Sequence, residues 1–386
     1  MNSIAEQLFF WFTIGLLGYV YVGYPLLVYA VSRIFPKAVR KAEIEPRVTV
    51  LITAYNEEQA IREKLENTLK IDYPISKLEI LVASDGSTDR TDEIVKEYAA
   101  YGVRLFRQEG RVGKTETQNN AVVRATGEII LFSDATTNYR RDVFRALLPY
   151  FADETVGCVA GRLVYVDEKS TNVGKGARSY WNYETFLKTA ESQACSLIGA
   201  SGCLYAVRRT AYEPMYAEAC SDFLICTNVY RKGLRSVFAP DAVCFENTNR
   251  HANEEMRMRI RVISQTFTDL WRNRDMLNPF KTGFFAIELL SHKVLRYAVP
   301  VILLSILIVS GVLSPASTFY TIALAGQALF YSLAFAGWLL ERAGKRLSLL
   351  AMPLYFVLAN LASVVAFYKF LRGERYARWE PIRESR

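Results

Sequence analysis

A single carboxylate, Asp134, closes an apolar run in the stretch Leu131-Phe132-Ser133-Asp134-Ala135-Thr136-Thr137. The run, residues 128–132, reads as a buried strand, and in an open α/β sheet chemistry collects at the carboxyl ends of strands. An Asp there can hold a hard divalent cation such as Mg²⁺ or Mn²⁺, which shares the rest of its shell among phosphate oxygens and water. The competing use of such an Asp is to cap the next helix. Other polar residues stand at comparable places. Tyr55 and Glu57 follow the run 48–53; the ring offers a face for a base, and the carboxylate can accept from an imide N–H. Asp85 follows the run 78–83 and can bind a ribose or a base. Lys114, in Gly110-Arg111-Val112-Gly113-Lys114-Thr115, can reach a diphosphate. For any one of them a turn or cap role competes equally; four at successive strand ends point to one nucleotide site. It is neither a P-loop, because position 108 is Gln where Gly is required, nor a dinucleotide fingerprint, because no G-x-G-x-x-G follows the first run.

Downstream, Asp222 stands at the start of a helix expected over 222–232, with helix capping as the alternative role. Gly199-Ala200-Ser201-Gly202-Cys203 is a small-residue stretch where backbone can approach a ligand closely. With the helix-like run Trp181-Asn182-Tyr183-Glu184, it supplies the candidate ligand-facing residues Gly199, Ser201, Gly202, Trp181 and Glu184; a tight strand connection is the equal alternative for the small-residue stretch. Arg257 and Arg261, at i and i+4, share a helix face and one can clamp a phosphate; a basic surface helix is the other reading.

These positions need a scaffold, and the spacing supplies one. Helices are expected over 59–69, 90–101 and 114–125, with strands over 48–53, 78–83, 103–107 and 128–132 between them. Helices of this length imply crossover connections and a mostly parallel sheet.

The 386 residues are 51% hydrophobic yet 22% charged, because the apolar residues concentrate at the two ends. Residues 8–34 are long enough to span about 30 Å of hydrocarbon and lack the basic start of a signal peptide. Basic residues follow at Arg33, Lys37, Arg40, Lys41 and Arg47, which by the positive-inside rule puts residue 35 onward in the cytoplasm. Residues 295–313, 319–340 and 347–370 are three further spans, and 284–297 begins as an interfacial helix. Three full crossings would put the basic tail (Lys369, Arg372, Arg375, Arg378, Arg383, Arg386) outside, against that rule. One segment therefore does not cross, and 347–370, which holds Pro353, is expected to be the irregular one. Net charge is 47 − 39 = +8. The basic residues cluster beside apolar segments without a basic-aromatic ladder, which disfavours nucleic acid and favours anionic lipid and phosphate-bearing substrates. Six cysteines without a C-x-x-C pair and only two histidines disfavour a zinc site and suit reduced, buried thiols.

The chain resembles the inverting, membrane-bound family 2 glycosyltransferases, an exopolysaccharide-, cellulose- and hyaluronan-synthase-like group. The motifs are TAYNEE (53–58), SDGSTD (84–89), GKT (113–115), FSDATT (132–137), GASGCLYAVRR (199–209), SDF (221–223) and RMRIR (257–261). The resemblance implies an α/β fold, a GT-A nucleotide-sugar-binding domain with a mostly parallel sheet, flanked by transmembrane helices. Residues 1–34 would be the N-terminal transmembrane helix and 35–275 the cytoplasmic domain. Residues 276–386 would hold an interfacial helix, further spans and the tail, in the inner or plasma membrane. It implies that Tyr55, Glu57 and Asp85 hold uracil and ribose, that Lys114 lies near the diphosphate, and that Asp134 is the first Asp of a metal-binding D-x-D. Asp222 matches the general base, and Arg261 the arginine of Q-x-x-R-W; Gly199, Ser201, Gly202, Trp181 and Glu184 would form the donor-sugar and acceptor region. The implied cofactor is a divalent cation, Mg or Mn. The implied partners are a UDP-sugar donor, a saccharide or lipid-linked acceptor, membrane lipid and subunits of a synthesis or export complex. Two departures stand out. Thr136 replaces the second Asp of D-x-D, and Met258 and Val262 stand where Gln and Trp would be. Together with the few spans, they point to one or few sugar additions, or to polymer synthesis with a partner. The rival readings are a polyprenyl-phosphate acceptor and a non-catalytic membrane subunit.

Overall fold

The computed structural model describes residues 4–166, 172–247, 252–345 and 347–378, with backbone alone over 172–180 and at 252. The N-terminal apolar run forms α1 (Ile4–Gly18) and α2 (Tyr24–Ile34), joined by a π-helical turn at Tyr19–Gly23. The α/β alternation then begins. In order come β1 (Val48–Ala54), α3 (Ile61–Leu69), β2 (Leu78–Ser84), α4 (Thr91–Glu97), β3 (Val103–Arg107), α5 (Lys114–Val122) and β4 (Ile129–Asp134). The β-branched sequence VTVLITA of β1 is buried along its whole length, as a central strand covered on both faces requires. Val50 and Ile52 point into one core with Ile61 and Leu65 of α3; Leu51 points into the other with Ile130 and Phe132.

The second half is less regular: β5 (Asn138–Tyr139), α6 (Val143–Leu147), β6 (Val156–Val166), α7 (Asn172–Ala194), β7 (Tyr205–Arg208), α8 (Ser221–Arg231) and β8 (Arg235–Asn247). All eight strands form one sheet in the order β3-β2-β1-β4-β7-β6-β8-β5. The half from β3 to β4 is parallel, as expected. Beyond it the sheet is mixed, because β7 runs antiparallel to both β4 and β6 while β6 and β8 are parallel. Since Phe132 pairs with Tyr205, the residues that enter β7 pass directly above the carboxyl end of β4. All six cysteines are free and buried.

After β8 come α9 (Ala252–Arg272), α10 (Pro279–Thr282), α11 (Phe284–Leu289), a π-helical turn Leu290–Leu295, α12 (Arg296–Leu313), α13 (Thr318–Arg342) and α14 (Ala351–Leu371). Four helical segments are long and apolar enough to cross a membrane: Ile4–Ile34, Phe284–Ala316, Thr318–Arg342 and Ser348–Leu371. Two expectations are corrected here. The segment at 284–297 is continuous with the span that follows. The segment at 347–370 is not irregular: α14 is unbroken, with Pro353 in its first turn, where a missing N–H leaves no bond unmade.

α14 does not stand apart from the α/β domain; it lies along α9. Ala362 and Ala366 pack on Ile263, Phe267 meets Phe367 and Phe370, and Tyr355 donates to Glu255 at 3.1 Å. The chain then runs back onto the domain. Gln265 donates to the Tyr376 carbonyl at 2.8 Å, and a Cβ on Gly113 would come within 2.0 Å of the Ala377 carbonyl oxygen. The tail residues through Arg378 therefore lie on the same side as the domain; Arg383 and Arg386 fall outside the described residues.

Candidate active site

The loops that end β1 and β2 are tied to one another. Asn56 adopts a left-handed φ of 54°, and its side-chain oxygen accepts from the Thr88 N–H at 2.7 Å. Its own N–H donates to Ser87. A non-glycine residue in that region marks a position where the surrounding structure imposes the conformation. Tyr55 stands beside the 110–113 loop, with the Arg111 guanidinium 3.9 Å from its ring centroid, so ring and guanidinium form a face-to-face platform. Glu57 is buried nearby.

Asp85 lies at the same edge, but its carboxylate has another task than the one expected. It is fully buried, and it accepts from the Val112 N–H at 2.8 Å, the Gly113 N–H and the Thr117 hydroxyl. It organises the loop that carries Lys114 and presents no open oxygen to a nucleotide. Gly86 makes the same junction possible: its φ is +68°, and a Cβ there would lie 2.5 Å from the Gly110 carbonyl oxygen. Gly86→Ala combines backbone strain with a backbone clash. It is expected to lower stability by about 1–3 kcal/mol and to raise the donor KM, measured by thermal unfolding and by donor titration.

Lys114, Asp134 and Asp222 come from three different segments and converge. Lys114 pairs with Asp134. A Cβ added to Gly202 would lie 3.3 Å from Lys114 Nζ, 3.4 Å from Asp222 Oδ2 and 3.5 Å from Asp134 Oδ2. Glycine thus leaves open the one point that all three groups face. Burial disfavours the Lys114 ammonium, but Asp134 and Asp222 outweigh it and raise its pKa, so it is a cation at neutral pH. Asp222 stands in the first turn of α8, its carbonyl bound by the Ala200 N–H at 2.9 Å and its Oδ1 by the Cys220 thiol. Gly199 packs on Phe223, holding the small-residue stretch against α8.

The three arginines of α9 divide. Arg257 is exposed, and Arg259 is bound to Glu255 and Tyr355. Arg261 feels Asp134 and Asp222, and burial lowers its pKa. No hydrogen bond or ion pair occupies its guanidinium among the described residues, which leaves that fork available for a phosphate.

Trp181 packs on Tyr165 at 5.7 Å with Lys188 over its ring. Ser201 accepts from Lys188 Nζ at 2.8 Å. Glu184, expected to face a sugar, does not; its carboxylate is taken by Arg296 and by His292, whose other ring nitrogen lies 2.6 Å from Glu191. Tyr24 of α2 joins the same cluster through Glu191 at 2.5 Å. Burial alone would raise the Glu184 pKa; Arg296 and His292 prevail and hold it well below the usual carboxylate range.

Three residues of this region escape motif reading. Lys64 is buried beneath the 134–137 turn, where its Nζ donates to the Thr137 carbonyl at 2.7 Å, and burial lowers its pKa to about 7. Its signal was its place on the apolar face of α3 with Ile61, Leu65 and Thr68. Lys188, one turn beyond Glu184, had only that i, i+4 spacing. Glu246 accepts from the Thr136 hydroxyl at 3.3 Å; burial first, then Asp134, push its pKa up to about 7. It had no local signal at all.

Among the described residues no three His, Cys, Asp or Glu side chains converge to cage a metal unaided. The donor set nevertheless fits a hard cation. Mg²⁺ and Mn²⁺ are commonly held by one or two carboxylates plus substrate phosphates, and Asp134 faces the gap above Gly202.

A mixed sheet of this order, with its polar residues gathered at the ends of β1, β2 and β4, is the GT-A-like fold of nucleotide-sugar transferases. Residues 49–215 match the Glycosyl transferase family 2 model. It is 28% identical over 230 residues to "Probable glycosyltransferase YdaM" of Bacillus subtilis, covering 56% of this chain and 54% of that protein. It is 31% identical over 184 residues to the "Beta-monoglucosyldiacylglycerol synthase" of Nostoc sp., covering 45% of this chain and 38% of that protein. The chain thus spans about half or less of these curated relatives. The solved "Mannosyltransferase PcManGT from Pyrobaculum calidifontis", in complex with GDP-Man and Mn²⁺, superposes with a TM-score of 0.74 at 25% identity. That match covers 95% of this chain and 99% of the mannosyltransferase, apolar helices included.

Proposed function

We propose that this chain moves a sugar from a nucleoside-diphosphate donor to a hydroxyl of a lipid-linked acceptor at a membrane surface, inverting the anomeric centre. The convergence of Asp222, Asp134 and Lys114 on the gap above Gly202 carries the reading. Asp222 takes the proton of the acceptor hydroxyl as that oxygen attacks the anomeric carbon. The diphosphate leaves with its charge offset by Lys114 and Arg261, and such preorganised electrostatics is usually the largest catalytic contribution. A divalent cation, Mg or Mn, held by Asp134 supplies further neutralisation when bound. Tyr55 and Arg111 provide the base platform.

The lipid acceptor is favoured by what α7 joins. Below the Trp181–Lys188 surface, Tyr183 donates to the Tyr21 carbonyl, and the Tyr21 ring packs on Phe356. Phe356 in turn lines an apolar cavity of about 390 Å³ with Ile14, Leu17, Leu303, Ile306 and Phe330, a setting for a hydrocarbon chain. The Nostoc relative's name, a glycolipid synthase, agrees. Three crossings with α14 lying at the interface would keep Lys369, Arg372, Arg375 and Arg378 beside the domain, and the positive-inside rule then places both in the cytoplasm. The resemblance implies a UDP-sugar, whereas the matched mannosyltransferase holds GDP-Man, so the donor panel must include both bases.

The test is nucleotide release and product formation by the detergent-purified protein with Mn²⁺ or Mg²⁺. UDP- and GDP-sugars are offered with lipid extracts or soluble saccharides as acceptors. Metal-dependent transfer into the lipid fraction is expected. Transfer to soluble saccharides alone would overturn the lipid acceptor, and no release from any donor would return the chain to a binding subunit.

A further inference from the structure

We propose that Glu246 is the second carboxylate of the divalent-cation site, taking the place of the aspartate that Thr136 replaces. The inference rests on the donor-site reading above and adds a ligand to it.

The strand register brings Glu246 there. The 134–137 turn leads straight into β5, which pairs antiparallel with β8 through Asn138↔Phe245 and Tyr139↔Cys244. Continuing that register by one residue sets Glu246 opposite Thr137, alongside the turn. The side chain confirms the approach, since the Thr136 hydroxyl donates to Glu246 Oε1 at 3.3 Å. A residue more than a hundred positions away thus stands at the residue whose carboxylate is missing. Thr136 is exposed and Glu246 half-buried, so the pair stands at the edge of the turn.

The surroundings favour a cation at that edge. Lys64, the buried ammonium below the turn, donates to the Thr137 carbonyl and the Thr137 hydroxyl and makes no ion pair with either carboxylate. Lys114 is paired with Asp134 and faces Asp222 and Gly202, and neither lysine bonds Glu246 among the described residues. Among the described residues, the Thr136 hydroxyl is the one hydrogen-bond donor to Glu246. Two carboxylates at the ends of β4 and β8 repel unless a positive charge lies between them. Mg²⁺ and Mn²⁺ prefer oxygen ligands, so Asp134 and Glu246 would hold the ion and leave its remaining positions to diphosphate and water. With Asp134 as the sole carboxylate the same ion would bind more loosely, because affinity follows ligand charge.

The test is Mn²⁺ affinity, read from the free-ion electron paramagnetic resonance signal of the full-length protein in detergent. It is run with and without saturating UDP or GDP, on the wild type, Glu246→Gln, Asp134→Asn and Thr136→Asp/Glu246→Gln. Glu246→Gln is expected to weaken Mn²⁺ binding about tenfold or more, because substitutions even of outer-shell groups cost 10–100-fold. Thr136→Asp in the Glu246→Gln background is expected to restore it. Should Glu246→Gln unfold, Glu246→Asp replaces it and is expected to weaken binding by a smaller factor. Wild-type affinity in the Glu246 variant, with binding lost in Asp134→Asn, would overturn this proposal alone and leave Glu246 as a hydrogen-bond partner of Thr136. Wild-type affinity in Asp134→Asn as well would overturn the donor-site reading with it.

Discussion

Asp222→Asn lowers kcat by about 10²–10⁴-fold, the usual worth of a general base, while nucleotide affinity stays near that of the wild type. The expectation follows from where the group sits. Its Oδ2 faces the gap at Gly202, and its Oδ1 is held by the Cys220 thiol, so Asn keeps the shape and the backbone anchor to Ala200 while removing the basic oxygen. Lys114 is the group to watch, since Asp222 is one of the two carboxylates that keep it charged; Asp134 remains bonded to it in the variant. Donor binding, which draws on Lys114 and Arg261, is therefore largely preserved. Single-turnover kinetics separate the effects: a lower chemical rate at unchanged donor KM is the signature of a lost base. An unchanged rate would remove Asp222 from this role and favour an acceptor that arrives already ionised, such as a lipid phosphate, which needs no base.

The place of Asp134 at the edge that also carries Lys114 was legible in the sequence because strongly patterned strands lead to it, whereas Asp222, in the first turn of α8, joined that site only through the family resemblance. Apolar runs such as VTVLITA and IILFSD can only be inner strands, and inner parallel strands bring their carboxyl ends to one edge. Asp85 was placed correctly at that edge, yet its partners could not be read, since the Val112 and Gly113 N–H groups reach it only through the fold of a separate loop. Glu184 was misread for a similar reason. Its local setting, WNYE on an aromatic helix, resembles a sugar-facing site, whereas its carboxylate meets Arg296 and His292 from a segment more than a hundred residues later. β7 is only four residues long, and its antiparallel insertion is decided by pairing with β4 and β6 rather than by its own propensity. The packing of α14 on α9 likewise depends on Ala362 and Ala366 meeting Ile263; in hydropathy alone α14 reads as another span.

Glu184→Ala is expected to be the most destabilising single substitution in this set, at about 3–5 kcal/mol, because it removes the buried carboxylate that Arg296 and His292 share. Glu184 and His292 are 6% and 3% exposed and Arg296 15%, so water cannot take over the lost contacts. The cluster also fastens the α/β domain to the apolar helices: α7 supplies Glu184 and Glu191, the π turn before α12 supplies His292, and α2 supplies Tyr24. Thermal unfolding in detergent measures the loss. A double-mutant cycle with Arg296→Met separates a lost pair from a stranded charge, because removing both partners is expected to cost less than the sum of the single losses. The pH dependence has a definite sign. The folded-state pKa of Glu184 lies below its unfolded value, so its contribution is complete above the ordinary carboxylate range and disappears as pH falls through the depressed value. The wild type should therefore lose more stability on acidification than Glu184→Ala does. Parallel acid-unfolding curves for the two proteins would mean that the cluster contributes through packing instead of charge, and the fastening of domain to helices would then rest on the apolar contacts of Val28 and Leu187 beside it.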